Sequence, residues 1–281
     1  KSECPKAEIF FLTFEKNRPL FEILDIIPDN NILTISEDSI YLFVLDTLKA
    51  IMRLSKEKID ITFDLEFFSR FTAILTYLSG AQRRIGFYRY TMEGLYRGNL
   101  LTHKVQYNPL LHISKTYLSL WQVIKTKSKS TPDLEEKIED KEIQMPKFVI
   151  PEEEKSPIWN KLKYLGVNEG LRLILINPGE GIIPLREWPL DNFIFLTRRL
   201  LEDRKNFILI IGTKGASYKA EMICKSVDNK RCLDLTGKTG LTEILSIFNI
   251  ATSLITNDCG LAHLASLTTV KKFIFFGPES P

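Results

Sequence analysis

The sequence predicts an α/β protein with two parallel-sheet domains. From residue 171 onward, five apolar runs alternate with amphipathic stretches, each run about six residues long. Such alternation requires crossover connections, and therefore a parallel sheet covered on both faces. The first half repeats the rhythm less regularly, and a charged, proline-punctuated stretch over 125–157 separates the halves. We therefore expect two Rossmann-like domains with their parallel sheets facing a central cleft, joined by a linker.

The first half contains four apolar runs that are typical of strands. In order they read AEIFFLTF, NILTIS, IDITFDLE and RRIGFY. Between them the spacing of apolar residues predicts a helix over 19–24, a long helix over 39–56 and a helix ending at 78. These elements form the predicted N-terminal domain, residues 1–147.

The second half is more regular and forms the predicted C-terminal domain, residues 148–281. Its five strand-like runs are LRLILINPG, NFILIIG, RCLDLTG, SLITND and KKFIFFG. Helices are expected near 190–204, 216–227 and 241–251, with a short helix before the last strand. The chain opens without Met close to a strand and stops just after another, so we expect a fragment that lacks an initial βα unit and a final helix or more.

Composition narrows the functional classes. The balance of 38 basic against 35 acidic residues gives a net charge of +3, too weak to indicate a general nucleic-acid surface. The sequence has neither a zinc-ligand spacing nor an apolar run of about 18 residues, so it predicts no metal site and no membrane span. The four cysteines are scattered, which favours a reducing cytoplasm.

Ligand-binding residues are expected in the loops that follow the second-half strands, where open α/β sheets bind ligands. The first loop, NPGEGIIPLREWP, offers Gly179 and Gly181 for close backbone approach and Arg186 as a planar cation for a phosphate oxygen. Equally, it reads as a Gly/Pro-rich connection with a solvent-facing Arg and a core Trp188. The second loop, GTKGASYK, offers two glycines and the cation Lys214, but it is not G-x-G-x-x-G and is a weak signal by itself. The third, LTGKTGL, places threonines, a glycine and a lysine at a turn before a helix, where a capped helix start is as good an interpretation as a ligand contact.

The loop after the fourth strand is the most informative. In LITNDCGLAHLAS an apolar strand runs directly into polar residues at a helix start, where free amides favour an anion. Asp258 would repel a phosphate, so we expect it to accept from a hydroxyl or amine while amides near Gly260 and Leu261 meet the phosphate. His263 falls about one turn further on. This division of labour suits a nucleotide sugar, although a lone helical His is more often structural.

Taken together, the second-half motifs resemble glycosyltransferase family 9, the ADP-heptose:lipopolysaccharide heptosyltransferases and their relatives. The resemblance lies in N-P-G at 177–179, R-x-W-P at 186–189, L-T-G-K-T-x-L at 235–241, N-D-x-G-x-x-H-L-A at 257–265 and F-G-P at 276–278. In the first half, FDLEFFSRFTAILTYLSGAQRRIGF over 63–87 is similar to a segment of such enzymes. The order of the motifs makes the resemblance specific.

This resemblance implies a GT-B fold and a metal-independent, inverting transfer of a heptose or related sugar to a lipopolysaccharide-type glycolipid. The donor that it implies is a nucleotide sugar, ADP-linked in such enzymes. No cofactor is implied, since the nucleotide sugar is a substrate. Carried over by position, the donor-binding residues are Gly179, Glu180, Arg186, Thr239, Leu241, Asp258, Gly260, Leu261 and His263. Arg186 and His263 would also act in catalysis, by stabilising the departing diphosphate.

Two features depart from the family pattern. Arg186 stands where the family often has a Lys, which replaces a point charge by a fork. No clear acid for the ribose follows the second strand; Glu221 is the nearest, and it also reads as a surface residue.

The family's general base is an Asp after the first strand, and this chain is expected to begin beyond it. Asp64 and Glu66 are the visible alternatives.

On the first domain, basic residues interleaved with tyrosines are the candidate acceptor site, namely Arg70, Arg84 and Arg89, with Arg83 and Arg97 nearby. They suit an anionic glycolipid core and, secondarily, peripheral contact with an anionic membrane at the inner face of the inner membrane. A solvated basic surface is the alternative. For the whole chain, the competing functions are a nucleotide-sugar epimerase of the same architecture and a non-catalytic nucleotide-sugar-binding module. No nucleic-acid partner is expected.

Overall fold

The chain forms two compact units, Lys1–Gln144 and Met145–Pro281. A computed structural model describes residues 4–67, 69–89, 98–108, 110–125, 138–139, 143, 146–150, 152–168, 170–179, 185 and 187–277. The expected boundary at 147/148 falls beside this division. Whether a ligand-binding cleft lies between the units, and what each unit binds, stay predictions.

Unit 1 is α/β with parallel pairing throughout its described ladders. Its elements are β1 (Phe11–Phe14), α1 (Arg18–Leu24), β2 (Ile32–Ile35), α2 (Ile40–Lys56), β3 (Ile61–Asp64), α3 (Arg70–Leu78), β4 (Arg83–Arg89), β5 (His103–Gln106) and α4 (Ile113–Gln122). Ser39 and Ser69 cap α2 and α3, each accepting a backbone N–H at 3.2 Å. The four predicted strands and three predicted helices are confirmed.

Two features of unit 1 differ from the sequence-based expectation. Its described strands form two ladders, β1–β2 and β3–β4–β5, instead of one continuous Rossmann-like sheet. The elements β5 and α4 were not predicted. The strand β5 reads HKVQ, in which only Val105 is apolar, so neither an alternating nor a continuous apolar run marks it.

Unit 2 is a five-stranded, fully parallel sheet. Its elements are α5 (Glu152–Tyr164), β6 (Arg172–Asn177), α6 (Leu190–Leu201), β7 (Asn206–Ile210), α7 (Ser217–Val227), β8 (Cys232–Asp234), α8 (Leu241–Ile250), β9 (Ser253–Asn257), α9 (Gly260–Ala265) and β10 (Lys271–Phe275). The strand order is β10-β9-β6-β7-β8. This is the doubly wound order with the first strand in the middle, so the predicted Rossmann-like fold of this half is confirmed.

The interpretation of 125–157 as a linker was wrong at its C-terminal end, because α5 begins at Glu152 and contains Pro157. A run of glutamates at a helix start interacts favourably with the helix dipole, so the charge run that suggested a linker stabilises a helix. Ile158 and Leu162, four residues apart, are buried at 4% and 1% exposure. Lys161 on the same helix pairs with Glu243 on α8 at 2.5 Å.

One aromatic side chain tests the core of unit 2. Phe193 on α6 is fully buried and packs against Trp188 and Phe275, whereas Phe195 on the same helix is 66% exposed. We expect Phe193→Ala to lower the free energy of unfolding by about 3–5 kcal/mol, because it removes buried apolar area and leaves a cavity. The matched control Phe195→Ala should cost less than about 0.5 kcal/mol. Urea unfolding followed by circular dichroism measures both, and equal losses would contradict this packing.

Candidate functional site

The candidate site lies at the carboxyl edge of the unit 2 sheet, between β6 and β9. The strand β6 pairs with β7 on one side and with β9 on the other, so the connections leave in opposite directions from this point. In open α/β sheets the crevice at such a switch point is where ligands bind. The two loops with the strongest sequence motifs, after Asn177 and after Asn257, both start here.

Asn177 ties the two strand ends together. Its side chain is 4% exposed, and its Nδ2 donates to Thr256 Oγ1 at 3.1 Å and to Cys259 Sγ at 3.2 Å. Its Oδ1 accepts from the backbone N–H of Gly179 at 3.2 Å. A buried amide with all these partners fixes the first turn after β6 against the turn after β9.

Asn257 holds both ends of the loop over 178–188. Its side chain is 2% exposed. The Nδ2 donates to the carbonyl of Pro178 at 3.1 Å, and Oδ1 accepts from the backbone N–H of Trp188 at 3.0 Å. Because the nitrogen donates in one contact and the oxygen accepts in the other, the two contacts together fix the orientation of the side-chain amide. The predicted site residues Glu180 and Arg186 belong to this loop but lie outside the described residues.

The far end of the same loop is anchored by packing and by an ion pair. The Trp188 ring stacks on Phe275 with centroids 4.3 Å apart. Glu187 pairs with Lys219 of α7 at 2.6 Å, and both side chains are about one-fifth exposed. The core role of Trp188 that the sequence left open is thus the one observed. The Glu187–Lys219 pair was not predicted, because the two residues are 32 positions apart and no local sequence pattern links them.

Gly179 allows the backbone to turn in this crowded place. It has a φ of +79°, and a Cβ there would lie 2.8 Å from Glu187 Oε1 and 3.1 Å from Asn257 Nδ2. Only glycine meets both conditions without strain. The backbone at Gly179 thus lies close to Glu187 and Asn257, while its predicted approach to a ligand stays a prediction.

The loops after β7 and β8 meet each other at the same edge. The N–H of Gly237 donates to the carbonyl of Gly212 at 2.9 Å. Thr236, 4% exposed, donates to Asp234 Oδ1 at 2.6 Å, which shapes the turn before α8. The predicted donor-binding residues Thr239 and Leu241 follow this turn and are half-buried.

The helix α9 starts without a side-chain cap. Cys259 is its N-cap residue and its side chain makes no capping hydrogen bond, while the N–H of Asp258 donates to the carbonyl of Phe275 at 3.1 Å. Gly260 is exposed, and a Cβ there would meet no described atom within 4 Å. The half-buried Leu261 and the exposed His263 follow. The four residues predicted here thus share one short segment, and the strand-to-helix turn expected from the sequence is confirmed.

The candidate acceptor residues of unit 1 occupy different settings. Arg70 is the first residue of α3. Arg84 of β4 donates from Nε to the carbonyl of Leu100 and from NH1 to the carbonyl of Ala81, both at 2.7 Å, so its guanidinium fastens backbone of its own unit. For Arg89, the end of β4, only the backbone is described, and Arg97 lies outside the described residues.

Asp64, one of the two alternative bases, ends β3 at 4% exposure. Its carboxylate accepts from Thr72 Oγ1 at 3.1 Å and from the backbone N–H of Glu66 at 3.2 Å. These contacts order the loop into α3. They give Asp64 a structural function in the free protein, as the hydrogen-bonded carboxylate of a strand-to-helix turn.

Within the described ranges, no group of three or more His, Cys, Asp or Glu side chains is arranged to hold a metal ion. None of the helices in that same part of the chain is both long enough and apolar enough to cross a bilayer.

The structure is that of a doubly wound α/β protein, in which the loops that carry the sequence motifs lie together at the switch point between β6 and β9. The family model of glycosyltransferase family 9 (heptosyltransferase) matches residues 48–281. The chain therefore belongs to glycosyltransferase family 9, as its motifs predicted.

Two curated relatives are heptosyltransferases. The chain is 24% identical over 138 residues to lipopolysaccharide heptosyltransferase 2 of Escherichia coli, covering 48% of this chain and 39% of the relative. It is 28% identical over 106 residues to lipooligosaccharide heptosyltransferase 2 of Haemophilus influenzae, covering 37% of this chain and 31% of the relative. The matched segments thus span less than two-fifths of either relative.

Solved structures agree on the fold. The chain matches E. coli ADP-heptose lps heptosyltransferase II with a TM-score of 0.71 at 20% identity, covering 100% of this chain and 78% of that one. It matches a family 9 glycosyltransferase from Veillonella parvula with a TM-score of 0.73 at 18% identity, covering 98% and 75%. A UDP-GlcNAc 2-epimerase from Methanocaldococcus jannaschii follows at 0.56 and 12%, covering 97% and 77%. The predicted GT-B fold class is confirmed.

Asn257→Asp tests the polar clamp on the 178–188 loop. A carboxylate keeps the acceptor for Trp188 but loses the donor to Pro178, and it buries a charge at 2% exposure. We expect a loss of about 2–4 kcal/mol in the free energy of unfolding at neutral pH. The loss should shrink near about pH 4, where a protonated carboxyl again donates.

The matched control is Asn229→Asp. The Asn229 side-chain oxygen accepts from the Arg231 backbone N–H at 2.9 Å, and a carboxylate preserves that bond. Chemical unfolding of both variants at two pH values measures the difference. A clamp of no consequence would give the same change, below about 0.5 kcal/mol, at both positions.

Proposed function

We propose that the protein is a glycosyltransferase that transfers a heptose or related sugar from a nucleotide sugar, ADP-heptose foremost, to a lipopolysaccharide-type glycolipid. The observation that carries the proposal is the meeting of two family motifs, at 177–179 and 257–260, at the β6/β9 switch point. Family membership over 48–281 supports the reaction class. The names of the relatives support the sugar and the acceptor.

The proposed donor site uses this edge of unit 2. Its residues are Gly179, Glu180, Arg186, Thr239, Leu241, Asp258, Gly260, Leu261 and His263. Uncapped amides at the start of α9 and the open space at Gly260 suit a diphosphate oxygen. Asp258, half-buried beside them, suits a hydroxyl or amine of the nucleotide.

Transfer with inversion requires a base for the acceptor hydroxyl and stabilisation of the departing diphosphate. In the proposal the second task belongs to Arg186, to the amides near Gly260 and to His263. The site needs no cofactor and no metal for this chemistry, since cations and amides supply the positive charge.

Activity that survives EDTA is the expected result, and activity that needs an added divalent ion would contradict this part of the proposal.

The acceptor is proposed to bind unit 1 through Arg70, Arg84 and Arg89. Arginine forks suit the phosphate and carboxylate groups of an anionic glycolipid core. Such an acceptor would place the enzyme in the cytoplasm, in peripheral contact with the inner face of the inner membrane. Because Arg84 already binds two backbone carbonyls, its part in acceptor binding would come through its charge.

A substrate screen tests the proposal. The full-length protein is incubated with ADP-, GDP- and UDP-sugars, with and without a heptose-accepting lipopolysaccharide core, and products are followed by mass spectrometry. Sugar transfer from an ADP-linked donor is the expected result. Sugar interconversion without acceptor would indicate an epimerase. Nucleotide-sugar binding without turnover would indicate a binding module, and either of these outcomes would overturn the proposal.

We expect His263→Ala to lower kcat by roughly 10- to 100-fold while the Kd for ADP changes less than about threefold, because its imidazole would act mainly on the leaving diphosphate. Steady-state kinetics and calorimetry measure the two quantities. Ser266→Ala, at the exposed C-cap of α9, is the control for helix stability and should leave both unchanged. Equal losses in kcat and affinity for His263→Ala would assign it to binding or folding.

Measurements of stability and of kinetics distinguish the structural part of the acceptor arginines from their part in acceptor binding. We expect Arg84→Gln and Arg89→Gln together to raise the KM for acceptor by about tenfold and leave the Kd for donor unchanged. Arg84→Gln alone should also lower Tm, because it frees two backbone carbonyls. Unchanged acceptor kinetics in the double variant would remove unit 1 arginines from the proposal.

A further inference from the structure

Two thiols in unit 2, neither of them among the proposed donor residues, lie in contact. Cys224 is in the last turn of α7 and Cys232 is the first residue of β8, with their Sγ atoms 3.8 Å apart. Both are free thiols, Cys224 half-buried and Cys232 buried at 5% exposure. They sit where α7 packs on the sheet, in the core that includes Ile210 and Ile223.

The two thiols are chemically unequal. The hydrogen bond they share lowers the pKa of the Cys224 thiol, and burial and the Asp234 charge oppose that shift. The same hydrogen bond, together with burial, raises the pKa of the Cys232 thiol. Cys224 is also the more exposed of the two sulfurs, so it is the one that an oxidant reaches first.

We propose that Cys224 and Cys232 form a redox modification site, at which a peroxide converts the thiol pair into a disulfide. In the first step the Cys224 thiolate attacks one peroxide oxygen, the O–O bond breaks, and Cys224 sulfenic acid and hydroxide form. In the second step the Cys232 sulfur attacks the Cys224 sulfur, the S–O bond breaks, and water leaves. The sum is two thiols and one hydrogen peroxide giving one disulfide and two waters.

The contact distance makes the second step short. The sulfurs must approach from 3.8 Å to about 2.05 Å for the bond to form. The connection between them is a tight turn, with Asp228 at a φ of +45° and its N–H bonded to the Cys224 carbonyl. The bond would fasten the end of α7 to β8, the strand that leads to Asp234 and the Thr236 turn.

Peptide mapping tests this proposal independently of the transferase function. The intact protein is treated with hydrogen peroxide, its remaining thiols are blocked, and it is digested with trypsin. We expect a monomer lighter by about 2 Da and one linked pair of peptides, AEMICK (220–225) with CLDLTGK (232–238). Oxidation of the exposed Cys4 before this pair, or no linked pair at any peroxide concentration, would overturn the proposal.

Single variants assign the order of the steps. Cys232→Ser removes the resolving thiol, so a Cys224 sulfenic acid should accumulate and react with dimedone. Cys224→Ser should abolish both the linked pair and the dimedone adduct at this site. Cys4→Ser is the matched control and should leave the linked pair unchanged. A dimedone adduct on Cys232 in the Cys224→Ser variant, formed as fast as that on Cys224, would contradict the assigned order.

Discussion

The arrangement of the candidate site depends on the buried side-chain amide of Asn257, whose nitrogen must find an acceptor and whose oxygen must find a donor. Asn257 is nearly inaccessible to water, so an unpaired oxygen or nitrogen on its side chain would carry the full cost of desolvation. Both are paired, one with each end of the 178–188 loop. The points at which the loop leaves the sheet and returns to it are therefore fixed.

Around this amide, the other contacts connect neighbouring strand ends in pairs. Asn177 joins the turn after β6 to the turn after β9. Gly212 and Gly237 join the loops after β7 and β8 through a backbone hydrogen bond. Since all five strands are parallel, these turns share one edge of the sheet. The polar groups named here thus form hydrogen bonds between the loops themselves. The start of α9, by contrast, has no side-chain cap.

Much of this fold was predictable because apolar periodicity carries it. The strands β6, β7 and β9 are nearly continuous apolar runs, the pattern of strands covered on both faces. The order of all five strands of unit 2 along the chain was predicted correctly. The helix α5 was missed because its charges concealed two apolar residues, Ile158 and Leu162, spaced four apart. The strand β5, with Val105 as its single apolar residue, gave no periodic signal at all.

The site was predictable in its position but less so in its contacts. The motifs at 177–179 and 257–260 predicted two turns that the structure brings together, because polar residues and glycine directly after a buried strand are costly unless the turn needs them. The functions of the Asn177 and Asn257 amides and the Glu187–Lys219 pair depend on partners distant in sequence, and local patterns do not encode these. For Arg84 the sequence showed a charge, while its two bonds to backbone carbonyls depend on how β4 lies beside residue 100.

The central claim is that the β6/β9 edge of unit 2 receives a nucleoside diphosphate. Hydrogen exchange with and without saturating ADP tests it most directly, read by mass spectrometry peptide by peptide. The account predicts slower exchange in peptides that contain Gly179 and in those that span Asp258 to His263, with the ladder β1–β2 unchanged. Slower exchange confined to unit 1, or no change at either motif with ADP bound, would contradict it.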